Sequence, residues 1–324
     1  MKRKGTFQKI LQYILALIVV VVVGYFFYDE FRKNWDAIST YDFDVNLYDV
    51  LISFVFMAFS SLLVTYIWQI CVNDYLLKKL NFSESFVILN TSALLKYIPG
   101  KIWSYTAQIA LMSSRGISKA LLIYINLICF ICFAIVSAIY TFSYYFFFLK
   151  VTPFGISILL FAMFIILDFT FIKWNAAVIN RLINLINKLF KREIGPIKIK
   201  ISLLVRVQLL YLVCLLSEGM CMYFLARGMG VSFSFSNIMA FTAIISVSSV
   251  IGYMVFISPG GLGVREGAMF VMLKQFSNIE AALILPIATR LVLIIIDVLL
   301  GVIGIWLGVK YRYFPMRAKR GKKQ

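Results

Sequence analysis

The 324-residue chain contains no histidine. That absence excludes Ser-His-Asp and Cys-His catalysis, His-ligated zinc or haem, and histidine-based pH switching. Charge is scarce too, at 14% of residues, and acid is scarcer than base: 14 Asp plus Glu face 32 Lys plus Arg, a formal +18. With 62% apolar residues and a mean hydropathy of +0.92, the composition lies outside the soluble range and reads as an integral membrane protein. The basic excess is therefore first a topology signal, and no nucleic-acid partner is expected. Cys71, Cys129, Cys132, Cys214 and Cys221 all fall inside apolar runs, which argues against a disulfide framework. Cys129 and Cys132 form a C-x-x-C, but within NLICFICFAIV, without the strand and helix that a redox motif needs.

The fold class expected is an all-α polytopic bundle in a single membrane domain, residues 1–324. Six apolar stretches are long enough to cross a bilayer: 10–28, 47–71, 119–148, 154–173, 203–226 and 281–309. The first follows a basic start like a signal sequence, yet no small-x-small site ends it, so it is expected to stay as a transmembrane helix. Two further stretches, about 85–113 and 236–275, are apolar but interrupted by Pro99-Gly100 and Pro259-Gly260. Proline removes a backbone donor and glycine admits non-helical angles, so each is expected to break there as a re-entrant or discontinuous helix. A pair of ordinary kinked helices is the alternative.

Twenty-five of the 32 basic residues fall on the side of the N-terminus, in the loops after even-numbered crossings and in the tail 310–324. The first outer loop carries Asp29, Glu30, Asp36, Asp42, Asp44 and Asp49 against Arg32 and Lys33. Both termini are thus expected in the cytoplasm. The two interrupted segments then open to opposite sides. Their similar surroundings and the 160-residue spacing from Pro99 to Pro259 are consistent with an inverted repeat, the pattern of secondary transporters. Residues 174–192 form an amphipathic helix expected on the cytoplasmic leaflet.

Charges inside apolar spans mark candidate sites. Glu218 lies within LVCLLSEGMCMYF, expected to pair with Arg290 or Arg265 or to meet a charged substrate. Arg290 and Asp297 share one helix face two turns apart and are not expected to touch directly. Asp168 is read as an interfacial anchor. PGGLGVREGAMF, residues 259–270, lacks the third glycine of a dinucleotide loop, and no G-K-[ST] occurs in the chain. Gly261 and Gly263 instead provide a turn ahead of a new helix beginning near Val264, whose positive end and Arg265 favour an anion such as lipid phosphate. Glu266 is either a helix-stabilising charge or a partner for Arg265. KYIPGKIW, residues 96–103, forms the matching site, with Lys96 and Lys101 flanking the break and Trp103 placed for an interfacial or stacking contact.

These two motifs resemble the signatures of the lysylphosphatidylglycerol synthase transmembrane-region family, a flippase-like domain found in the bacterial multiple peptide resistance factor and as stand-alone bacterial and archaeal proteins. The resemblance covers nearly the whole chain. Lys96 and Ser258 depart from it where arginine and a small or apolar residue are more usual. It implies translocation of an anionic phospholipid, an aminoacyl-lipid or a polyprenyl-linked glycolipid, with Arg265 and Glu266 as the family's Arg-Glu pair and Lys101 and Trp103 on its P-G-K-x-W positions. The chain stops at YRYFPMRAKRGKKQ, so lysyl transfer is not expected of it. The expected partners are membrane lipids with phosphate head groups in a bacterial or archaeal cell membrane. No cofactor is expected. Envelope-biosynthesis enzymes, for which the chain would serve as a non-transporting scaffold, and homo-oligomerisation stay open.

Overall fold

The computed structural model describes residues 45–97, 102–112, 117–148, 200–231, 233–255, 261–311 and 313, with isolated positions between 25 and 32 and between 153 and 188. Among the described residues the fold is entirely helical. The long helices are α1 (Leu47–Asn73), α4 (Lys119–Ser143), α5 (Ile201–Gly228) and α8 (Ile279–Lys310). Between them lie α2 (Phe82–Ala93), continued by a 3-10 turn Leu94–Tyr97, then α3 (Ile102–Met112), α6 (Ile238–Met254) and α7 (Val264–Leu273).

Short polar side chains start four of these helices. Asn46 accepts from the Tyr48 amide, Ser118 from Leu121 and Asn278 from Ala281. Asn81 accepts from Glu84, whose carboxylate reaches back to the Asn81 amide as a capping box. Each cap satisfies an amide that an apolar environment would leave orphaned. Ser118 and Asn278 lie 160 residues apart, the spacing of Pro99 and Pro259.

Among the described residues five helices are long and apolar enough to cross a membrane. Four correspond to expected spans. The fifth is Phe235–Met254, read from sequence as half of a broken segment. Its length suffices, but its continuation does not carry on across. After the break α7 runs back along α6, and Phe276, just beyond α7, meets Phe233 and Phe241 at the start of α6. Likewise α3 packs back against α2. Both interrupted stretches are therefore helical hairpins and not kinked rods. The expected spans 10–28 and 154–173, the helix 174–192 and the tail 310–324 lie outside the described residues, apart from scattered positions. Of these, Arg181, Asn184 and Lys188 are helical and exposed.

The order long helix, hairpin, long helix occurs twice, and the halves interlock. Helices α1 and α5 run antiparallel: the Asn46 amide donates to Gly228 at one end, Ser60 meets Cys214 midway at 3.1 Å, and Lys200 pairs with Asp74 at the other end. Each hairpin then packs on the closing helix of the other half. Helix α2 lies on α8, where Gly301 and Gly304 admit Leu94 and Thr91. Helix α6 lies on α4, where Tyr253 meets the rings of Phe130 and Phe133. The opposite face of α8 leaves Leu291, Ile295, Leu299 and Val302 exposed at helical spacing, a stripe suited to lipid contact.

The five cysteines are free and buried. Asp168 departs from expectation. It is buried and accepts a 2.9 Å hydrogen bond from Gln208, so it is an interior polar contact and no interfacial anchor. A carboxylate in an apolar span is costly unless a donor meets it, and the Gln208 amide does so.

Candidate functional site

The two hairpin turns arrive at the middle of α8 from opposite directions. Lys96 and Tyr97 end the 3-10 turn of the first hairpin. Lys96 makes a 2.7 Å ion pair with Asp297, and the Tyr97 hydroxyl donates to the same carboxylate. Arg265 and Glu266 open α7 in the second hairpin. Arg290, two turns before Asp297 on α8, lies 3.4 Å from the Glu266 carboxylate, and its guanidinium stands 5.8 Å over the Tyr97 ring.

The start of α7 shows why the sequence folds so locally. Gly261 and Gly263 have φ of +74° and +83°, left-handed backbone that side chains disfavour. The second oxygen of Glu266 accepts from the Gly263 amide at 2.6 Å, closing the first turn. Glu266 is thus the helix-stabilising charge, and its ionic partner is Arg290, not Arg265. Neighbours on a helix point about 100° apart, so Arg265 faces elsewhere. It faces α5, where Glu218 lies 3.9 Å away. That distance exceeds a hydrogen bond. Glu218 itself accepts from Ser60 on α1 at 3.1 Å.

A cavity of about 290 Å³ opens at this junction, and Lys96, Glu218, Arg265, Arg290 and Asp297 line it. Three cations and three carboxylates alternate here, which lowers the cost of holding any of them in an apolar bundle. Of the three cations Arg265 stands farthest from its carboxylate, at 3.9 Å against 2.7 Å for Lys96 and 3.4 Å for Arg290. It stands at the positive end of α7 with donors to spare.

Of the residues expected to form the site, the structure gathers Lys96, Glu218, Gly261, Gly263, Arg265, Glu266, Arg290 and Asp297 at this junction. Trp103 does not join them. It is half exposed on α3 and outside the cavity lining. Pro99, Gly100, Lys101, Pro259 and Gly260 lie outside the described residues. Sequence reading missed Ser60 and Tyr97, which steer two of the carboxylates, and also Asn90, Gln108 and Asn126, whose amides line the same cavity. An Asn or Gln inside an apolar span is itself a signal, since it must find a partner there.

Comparison with protein families matches residues 13–301 to the lysylphosphatidylglycerol synthase TM region. The chain belongs to this family. It is accordingly a multi-pass membrane protein of a family tied to lipid metabolism. Comparison with curated proteins finds no match. The stretch shared with the family includes both hairpins, Glu218 of α5, and Arg290 and Asp297 of α8.

Proposed function

We propose that the protein carries a lipid with a phosphate head group between the two leaflets, as a translocator and not an enzyme. The observation that carries this reading is Arg265: a guanidinium on a cavity wall, at a helix N-terminus, held only loosely by Glu218. A phosphate oxygen entering the cavity replaces that long contact with charge-assisted hydrogen bonds, which are short and strong. Glu218 keeps the Ser60 hydroxyl when Arg265 turns away.

The fold supports movement as well as binding. Paired hairpins that meet at mid-depth, one from each side, give a site that rocking of the interlocked halves exposes alternately. The cavity reaches from the ionic cluster toward Trp68, eight residues or about 12 Å beyond Ser60 along α1. The charge bias of the loops supports a cytoplasmic assignment for that end and for both termini. Anionic phospholipids, aminoacyl-lipids and polyprenyl-linked glycolipids all present the required phosphate.

The test is lipid movement in vesicles reconstituted with the full chain. Fluorescent phosphatidylglycerol is followed by loss of the outer-leaflet signal on adding a membrane-impermeant quencher. Wild-type protein moves it well above the protein-free rate, and Arg265→Ala slows it at least about tenfold, the scale of one lost charge-assisted contact. Equal rates for wild type, variant and empty vesicles would overturn the proposal.

A further inference from the structure

The cavity has a second, uncharged end. Asn90 on α2, Gln108 on α3 and Asn126 on α4 line it, together with the rings of Trp68, Phe133 and Tyr211. The hydrogen bonds already made there leave specific groups over. Asn126 spends both amide protons, on the Gln108 carbonyl at 3.0 Å and the Leu122 carbonyl at 2.9 Å. Asn90 spends both on Thr65 and Phe86. The Asn90 and Asn126 side-chain carbonyls and the Gln108 amide therefore have no protein partner among the described residues. The buried indole N–H of Trp68 has none either. The three amide groups line the cavity and stay open to what enters it, and polar groups so placed among aromatic rings point to a ligand.

The character of these groups selects the ligand. Two acceptors and two donors, interleaved with aromatic faces, match hydroxyls, each of which both donates and accepts. A second ammonium is poorly served. The Asn90, Gln108 and Asn126 groups include no carboxylate, and at the junction Asp297 holds Lys96, Glu266 holds Arg290, and Glu218 accepts from Ser60. The volume of about 290 Å³ lies at the small end of the roughly 300–1,000 Å³ typical of ligand sites. It holds a head group and leaves the acyl chains in the bilayer.

We infer that the head group carries, beyond its phosphate, an uncharged hydroxyl-rich moiety, a polyol or a sugar, seated against Asn90, Gln108, Asn126 and Trp68 while the phosphate meets Arg265. This rests on the lipid-translocation reading and narrows it to one of the head-group chemistries that share a phosphate.

Calorimetric titration of the full chain in detergent micelles tests it with inorganic phosphate, phosphoethanolamine and inositol 1-phosphate. Inositol 1-phosphate binds at least about tenfold tighter than either of the others, the worth of one or two neutral hydrogen bonds. Gln108→Leu and Asn126→Leu each cut that advantage to about threefold or less. Should either variant fail to stay monodisperse, Asn90→Leu reads the same wall from another helix. Phosphatidylinositol in the same micelles binds tighter than the free head group. Equal affinities, no binding by any of the three, a preference for phosphoethanolamine, or an advantage that survives these substitutions would overturn the inference. A free sugar phosphate preferred over its lipid form would overturn the lipid assignment. Lipid movement in vesicles without any hydroxyl preference sinks this inference alone. A hydroxyl preference without lipid movement sinks the translocation reading alone.

Discussion

Lys96 and Asp297 form a 2.7 Å ion pair that ties the turn of the first hairpin to the middle of α8. Seven residues earlier on α8, Arg290 meets Glu266 of the second hairpin with the signs exchanged. One helix thus holds both hairpin turns, offering an acid to one and a base to the other. Neutralising one member of either pair leaves the charge of the other behind in an apolar setting.

That arrangement predicts asymmetric costs. Asp297→Asn strands Lys96 and destabilises the protein by about 3 kcal/mol, whereas Lys96→Met with Asp297→Leu together recovers most of the loss. The Lys200–Asp74 pair has the same 2.7 Å length, but Lys200 is 69% exposed. Lys200→Ala accordingly costs less than about 1 kcal/mol. Thermal unfolding in micelles ranks the variants. A Lys200→Ala loss as large as that of Asp297→Asn would contradict the assignment of the Lys96–Asp297 pair to the interior.

Glu266 performs two tasks that substitution separates. Glutamine retains a carbonyl for the Gly263 amide but removes the charge facing Arg290, while alanine removes both. Glu266→Ala is therefore less stable than Glu266→Gln by about 1 kcal/mol, the worth of a helix cap. Both are less stable than wild type. Equal melting temperatures for the two variants would show that the cap contributes nothing.

Close helix packing gives a third expectation. A Cβ on Gly219 of α5 would lie 1.9 Å from the Thr242 hydroxyl and 2.9 Å from the Thr242 Cα, so the backbone of α6 would have to move. On Gly301 the three nearest atoms would all belong to the Leu94 side chain, at 2.5 to 2.7 Å, and that side chain can change rotamer. Gly219→Ala is expected to cost about 3 kcal/mol and Gly301→Ala about 1. Melting curves that place Gly301→Ala below Gly219→Ala would reverse this account.

Much of this fold and part of its site are legible in the sequence. Hydrophobic run lengths locate α1, α4, α5 and α8, because twenty apolar residues have one use in a bilayer. The glycines ahead of Val264 locate the start of α7, because left-handed backbone leaves a compositional mark. Pairing is where sequence reading stops. Whether Glu218 faces Arg265 or Arg290 depends on how α5 and α8 are rotated in the bundle, and no periodicity records a rotation. Glu266 beside Arg265 suggests a pair by adjacency alone, although the helix turns the two apart. Ser60 and Tyr97 give no sign of their roles, since a serine or tyrosine in an apolar run is ordinary until its carboxylate partner arrives from another helix. Asp168 reads as a span-end charge and proves buried because Gln208, forty residues on, supplies its donor.

The approach of Gly252 to α7 yields the prediction closest to function. A Cβ there would stand 3.3 Å from the Arg265 Cβ and 3.8 Å from the Gly261 Cα, tight against the first and ordinary against the second. Gly252→Ala should therefore fold with a small loss of stability, about 1 kcal/mol, while pushing the Arg265 side chain away from Glu218. Gly261→Ala is worse placed. It forces a left-handed φ on alanine and drives its Cβ to 3.1 Å from the Gly252 backbone. If Arg265 is the phosphate contact, Gly252→Ala slows lipid movement several-fold at nearly wild-type melting temperature, and Gly261→Ala loses both movement and stability. A Gly252→Ala protein that moves lipid at the wild-type rate would show that the position of Arg265 does not govern transport.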